Sequence, residues 1–207
     1  MAINNLVGKE EKKVNKSKLH YSRAPSNCEV RAMEAEGGKK VISGLALRFN
    51  TPTVLFTIGD TEYKEIISPN ALDGCDLSDV VLDRGHDMEG KLLARTRSGT
   101  LRLNVTDEGL RYEADVPDTE LGRETYELAQ RGDLYGSSFA AVIREDSYDR
   151  ETHTRTILRF ERFYDVAAVT FPAYEATEVS AEMRSAFGIG EDKEKFELEK
   201  ARLLASY

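Results

Sequence analysis

Apolar and polar residues alternate at period two over several short stretches of this chain, and that alternation predicts strands. Leu101, Leu103 and Val105 alternate with Arg102 and Asn104, and Leu110, Tyr112, Ala114 and Val116 repeat the pattern. Between them Asp107-Glu108-Gly109 offers a glycine for the left-handed position of a three-residue hairpin. Residues 41–49, with Gly44 inside, predict another strand. Asp118 or Thr119 is a suitable cap for a helix that carries Leu121, Leu128 and Ala129 on one side and stops at Gly132. Residues 138–144 and 156–162 predict a pair of strands around a polar loop, 145–154. Residues 166–171 form a short, nearly all-apolar strand that ends at Pro172. Many strands at short spacing, with helices between some of them, predict a mixed α+β, mainly β chain. The expected architecture is a closed β-barrel of mostly antiparallel strands surrounded by helices.

The two ends break the pattern. Residues 1–26 hold Lys9, Lys12, Lys13, Lys16 and Lys18 among few apolar residues, which predicts a disordered charged tail. Residues 188–207 are highly charged, with Phe196 and Leu203 seven apart, as are Leu198 and Ala205. That spacing predicts a helical tail with a thin apolar stripe, outside the core. One domain, 27–187, remains between them, and a hydrophobic fraction of 40% is enough for one core. The net charge of -8 argues against an electrostatic hold on nucleic acid. No apolar run is long enough to span a membrane, and no apolar stretch follows the N-terminal lysines to make a secretory signal. Cys28 and Cys75 make neither a disulfide framework nor a zinc site, so a reducing, cytoplasmic setting is expected, without nucleic-acid or membrane partners.

The chemistry rests on few residues. His20 lies in the charged N-terminal segment and His153 in a polar loop, whereas His86 directly follows the apolar segment Val80-Val81-Leu82. A histidine just past a strand end suits a rigid site, although a surface-loop histidine reads the same way locally. Ser138 lies in Gly136-Ser137-Ser138-Phe139-Ala140, which is not the nucleophile-elbow pattern, and local grounds leave a plain turn open. Asp165 enters an apolar strand, which is costly without a partner; Arg159, Arg162 and His86 are all available, and Glu161 competes as the acid. The order His, Ser, acid matches neither chymotrypsin nor the α/β-hydrolases. No second histidine at helical spacing supports a metal beside His86-Asp87, and no phosphate loop appears, so no cofactor is expected.

Five blocks in order resemble the tailed-phage prohead (capsid-maturation) serine proteases. The opening strand is Val41-Ile42-Ser43-Gly44-Leu45-Ala46-Leu47-Arg48-Phe49-Asn50. Next comes Glu65-Ile66-Ile67-Ser68-Pro69-Asn70-Ala71-Leu72, with Asn70 where the family usually has glycine. The segment from Leu82 to Asp87, followed by Leu93-Ala94-Arg95-Thr96-Arg97-Ser98-Gly99-Thr100-Leu101, resembles the block of the catalytic histidine. Arg131-Gly132-Asp133-Leu134-Tyr135-Gly136-Ser137-Ser138-Phe139 resembles the serine block, with the serine directly before Phe matching. Tyr164-Asp165-Val166-Ala167-Ala168-Val169-Thr170-Phe171-Pro172-Ala173-Tyr174 resembles the last block, with Asp165 in place of the usual Glu and Ala167 in place of the usual Ser.

The resemblance implies a serine endopeptidase with Ser138 as nucleophile, His86 as base and Asp165 as the third member. It implies a fold like herpesvirus assembly protease, a barrel surrounded by helices. The implied substrates are the scaffold segment of a major capsid protein, or a separate scaffolding protein, and the enzyme itself. The implied place is the assembling prohead in the host cytoplasm, and a homodimer is left open. Backbone N–H groups near Ser138, or Arg84, are candidate oxyanion donors. Two other readings stand beside this one. A non-catalytic scaffold or capsid-associated module would keep the fold but hold His86 and Ser138 apart. A different serine hydrolase, such as an esterase, would show a closed small-molecule pocket.

Overall fold

Of the 207 residues, the computed structural model describes 29–170, Phe187 and the backbone of 19–23. The elements run β1 (Leu19–Arg23), β2 (Val30–Ala35), β3 (Lys39–Arg48), β4 (Thr53–Ile58), β5 (Thr61–Ile67), β6 (Val81–Arg84), β7 (Leu92–Arg95), β8 (Leu101–Val105), β9 (Gly109–Asp115), α1 (Glu120–Arg131), β10 (Gly136–Asp149) and β11 (Thr154–Val169). The strands form two sheets. One has the order β1-β10-β11-β5-β4, with β6 also pairing β11 and β7 pairing β6; the other has the order β2-β3-β9-β8.

This corrects the expected architecture. Among the described residues there is no closed barrel and no ring of helices: both sheets are open, and α1 is the one α-helix. The first sheet is also mixed, because β11 runs parallel to both β5 and β6. The physical reason for the miss is that alternation reports only which face of a strand is buried. Sheets that pack on one another and a sheet that closes on itself bury that face equally well.

β10 and β11 also run further than their apolar cores. The expected polar loop, 145–154, shrinks to 150–153, because pairing continues from Glu145↔Arg159 to Asp149↔Thr154. Carboxylates flank the arginine near the start of β11: Arg155 Nε donates to Asp146 Oδ2 at 2.6 Å, and Arg155 Nη1 lies 3.9 Å from the buried Glu65. Register shifts at four places between Ala140 and Asp146 bend the hairpin.

The local expectations for β8, β9 and α1 match the structure. Thr119 caps α1 by accepting from the Gly122 N–H at 3.1 Å, and Gly132 ends it with φ +80. Gly109, however, is not a left-handed turn residue. It opens β9 with φ +155, where an added Cβ would lie 2.0 Å from the Leu47 carbonyl oxygen. The core gathers Ile42, Leu47, Leu82, Leu110 and Val166 around a trio of rings, Phe139, Phe160 and Phe163. Phe187 packs on Phe56 and Tyr63 in a smaller cluster.

Leu19–Arg23, inside the segment expected to be disordered, is a strand on the edge of β10. The rest of that tail, 1–18 and 24–28, lies outside the described residues, as does the expected helical tail, 188–207.

Gly44 couples the two sheets. A Cβ there would sit 2.5 Å from the Tyr112 hydroxyl oxygen and 2.9 Å from the Glu29 carbonyl oxygen. Tyr112 cannot yield freely, because its hydroxyl bonds the buried Ser137 Oγ at 2.9 Å. Gly44→Ala is therefore expected to lower stability by about 1–3 kcal/mol, read as an earlier urea midpoint at unchanged slope.

Candidate active site

Three adjacent strands supply the site. β11 lies between β10 and β6, with Ser138 opposite Ala167, Asp165 opposite Ala140, Asp165 beside Val81, and Ala167 beside Asp83. Paired residues share a face, and so do residues two apart on a strand. Ser138, Asp165 and Asp83 therefore point the same way. Ser137 points the other way, to Tyr112 of β9.

His86 arrives from the end of β6. Gly85 and His86 have φ +78 and +65, so the chain turns sharply out of the strand. A left-handed conformation costs a non-glycine residue about 1–2 kcal/mol. Here the turn is held by the His86 N–H, which donates to Asp83 Oδ1 at 2.7 Å, and by the Gly85 N–H, which donates to the Ala168 carbonyl at 3.1 Å. Strain held by surrounding bonds in this way aims a side chain at one position.

Both ring nitrogens then have partners. His86 Nε2 is 2.7 Å from Ser138 Oγ, and Nδ1 is 3.0 Å from Asp165 Oδ2 and 3.2 Å from Oδ1. A carboxylate only accepts, so Nδ1 carries the hydrogen and Nε2 is left as an acceptor for the serine hydroxyl. Ser138 and Asp165 are fully buried, while the His86 side chain is 19% exposed. The approach from solvent is thus over the imidazole. β1 pairs with β10 on the edge away from β11, with Arg23 opposite Ser138 in the register.

The other residues singled out in the sequence lie elsewhere. Arg159 and Arg162 face Asp73 and Asp76 at 3.6 and 3.7 Å, not Asp165. Glu161 is exposed. Arg84 lies 3.1 Å from Glu124 of α1. His153 contacts the Tyr148 hydroxyl at 3.3 Å, and of His20 only the backbone, in β1, is described.

Asp83 was missed in the sequence, yet it is fully buried in the site. Burial, followed by the nearby Asp165 charge, pushes its carboxyl up to about 7. The signal was present: an aspartate closing the apolar run Val80-Val81-Leu82 poses the same burial problem as Asp165. Asp83, His86 and Asp165 each offer a ligand atom within 4.8 Å of the others. Those atoms are already engaged with one another: Nδ1 faces Asp165, and Asp83 Oδ1 holds the His86 N–H. The arrangement serves a hydrogen-bonded chain better than a cation.

Among known proteins, the capsid assembly protease gp21 of bacteriophage T4 is similar in structure, with a TM-score of 0.48, 12% identity, and coverage of 76% of this chain and 100% of that one. That likeness is too remote to bear on the site. No curated protein matches the chain. Residues 26–189 match the caudovirus prohead serine proteases, a span that holds every described side chain of the site. That match covers most of the sequence, and the chain belongs to the caudovirus prohead serine protease family.

Proposed function

We propose that Ser138 is the nucleophile of this protease, His86 its general base and then general acid, and Asp165 the carboxylate that orients the imidazole. One observation carries the reading: the 2.7 Å contact between Ser138 Oγ and His86 Nε2, with Nδ1 turned to Asp165 at 3.0 Å. Serine is inert at its own pKa and needs a base within this reach. His86 Nε2 takes the hydroxyl proton as Oγ attacks the scissile carbonyl carbon. The imidazolium, balanced by Asp165, then gives that proton to the leaving amine, and an acyl ester remains on Ser138. Water, deprotonated by the same nitrogen, releases the acid and restores the serine.

A non-catalytic module would hold His86 and Ser138 apart, and they are not apart. An esterase would place a closed pocket at the serine. The cavity of about 590 Å³ lined by Arg48, Arg102, Glu108 and Glu113 lies on the second sheet and includes neither Ser138 nor His86.

The substrates in this reading are scaffold segments of the major capsid protein or a separate scaffolding protein, cut inside the assembling prohead in the host cytoplasm. The enzyme also cuts itself. Support for self-cleavage comes from β1, whose Arg23 backbone lies opposite Ser138, so the N-terminal segment runs past the serine. A tethered segment meets the site at an effective concentration no free substrate matches. The test is to follow the intact masses of wild type and Ser138→Ala beside a scaffold-bearing capsid protein. The wild type is expected to cut the scaffold and to shorten within 1–26 or 188–207, and Ser138→Ala to do neither. A wild type that keeps full length while cutting scaffold would contradict self-trimming. A wild type that leaves every capsid and scaffold protein intact would contradict the substrate reading.

A further inference from the structure

Two aspartates, not one, are sealed behind His86. Asp83 and Asp165 both have zero exposure. They stand on neighbouring parallel strands, with Asp165 beside Val81 and Ala167 beside Asp83, so their side chains share a face. Among the described residues, the charged groups that bear most on Asp83 are Asp165 from β11 and His86 from the end of β6, and its β7 partner is Leu92. With a neutral imidazole, two ionised carboxylates here would place two negative charges side by side in a dry site. Like charges at that separation do not both persist, and one carboxyl keeps its proton.

The hydrogen bonds say which one. Asp165 accepts from the Nδ1–H of His86 with both oxygens in range. Asp83 Oδ1 accepts the His86 backbone N–H, but Oδ2, equally buried, has no N–H or O–H donor pointed at it among the described residues. A buried oxygen without a donor is costly unless it is itself the donor. The acceptor within its reach is the Asp165 carboxylate.

We infer that Asp83 is a positioning residue that carries the shared proton: its Oδ2–H donates to Asp165, while its Oδ1 holds the His86 backbone in the left-handed turn. This rests on the proposed roles of Ser138, His86 and Asp165. One side chain thereby fixes the acid and the base relative to each other. It also keeps a single negative charge behind the imidazole, enough to balance the imidazolium once it forms. Asp83 forms no bond to substrate and is not a catalytic residue.

Asparagine at this position copies the protonated acid, since its amide donates where the hydroxyl did and its carbonyl oxygen accepts the same backbone N–H. Alanine supplies neither group. Asp83→Ala is therefore expected to lose about 10²-fold in kcat/KM through misplacement of the imidazole. Asp83→Asn is expected to recover at least about tenfold of that loss. Asp83 holds its proton more tightly folded than unfolded. Its stabilising contribution is thus complete below the ordinary value of 3.8 and is lost as pH rises through about 7. The melting temperature of Asp83→Asn is then expected to gain on the parent as pH rises across that window.

The decisive experiment uses infrared difference spectra and melting curves in the Ser138→Ala background, where no cleavage disturbs the sample, alongside cleavage rates in the active background. A protonated-carboxyl C=O band near pH 6 that vanishes in Asp83→Asn is the expected result. Absence of that band, or Asp83→Asn as slow as Asp83→Ala, would overturn the inference. Both spectra and melting are independent of proteolysis. Failure of the triad reading would show instead as cleavage by Ser138→Ala, whatever Asp83 does.

Discussion

Replacing Ser138 or His86 by alanine is expected to lower kcat/KM by about 10³- to 10⁶-fold, with the double variant little worse than either single one. In the proposed mechanism the two side chains act as a unit: the serine has no nucleophilicity without the base, and the base has no proton to take without the serine. The fold should survive both changes. Ser138→Ala removes one hydroxyl and a hydrogen bond worth about 1 kcal/mol, leaving the β10 pairing with β11 in place. Ser137→Ala is the matched control. It removes an equally buried hydroxyl from the next position of the same strand, but that hydroxyl faces Tyr112, not His86. It is expected to cost some stability and to leave cleavage within a few-fold. Steady-state rates on a scaffold peptide, with circular dichroism melts of the same samples, separate the two effects. Equal activity in Ser138→Ala and wild type would remove Ser138 from the mechanism.

Asp165→Ala is expected to lower kcat/KM by about 10²- to 10⁴-fold, because the imidazole loses the acceptor that selects its Nδ1–H tautomer and balances its charge. The loss is smaller than for Ser138, since a neutral His86 retains its bond to the hydroxyl and its backbone anchor on Asp83. Glu161→Ala, on the exposed side of the same strand, is expected to leave the rate unchanged. Asp165→Asn should be as damaging as alanine, because an amide nitrogen turned toward Nδ1 favours the wrong tautomer. Rates of the three variants on one peptide check the assignment. A large loss in Glu161→Ala with none in Asp165→Ala would reverse it.

Much of the local structure was legible because its signals are local. Alternation marked β8 and β9, and Thr119 with Gly132 bracketed α1, since capping depends on the residues at the helix ends alone. Closure was not legible, because strand partners are chosen over long range and the same apolar faces serve a barrel or two packed sheets. The extent of β10 and β11 was hidden for a different reason. Arg155 pairs across the hairpin with Asp146, so a stretch that reads as polar loop can pair as strand. At the site, no local pattern connects His86 with Ser138, 52 residues away. The parallel pairing of β6 with β11 makes that connection, and only the order of five motif blocks anticipated it. Asp83 is hard to read from the sequence because the apolar run Val80-Val81-Leu82 serves equally as a lead-in to His86 and as a burial site for a carboxylate.

The claim at the centre is that Ser138 is an activated nucleophile and that His86 activates it. Reaction with a fluorophosphonate followed by peptide mass mapping tests this without a known cleavage sequence. The account predicts a single adduct on Ser138 in the wild type, with none on Ser137, and loss of labelling in both Ser138→Ala and His86→Ala. Labelling that survives His86→Ala, or an adduct mapped to another residue, would contradict it.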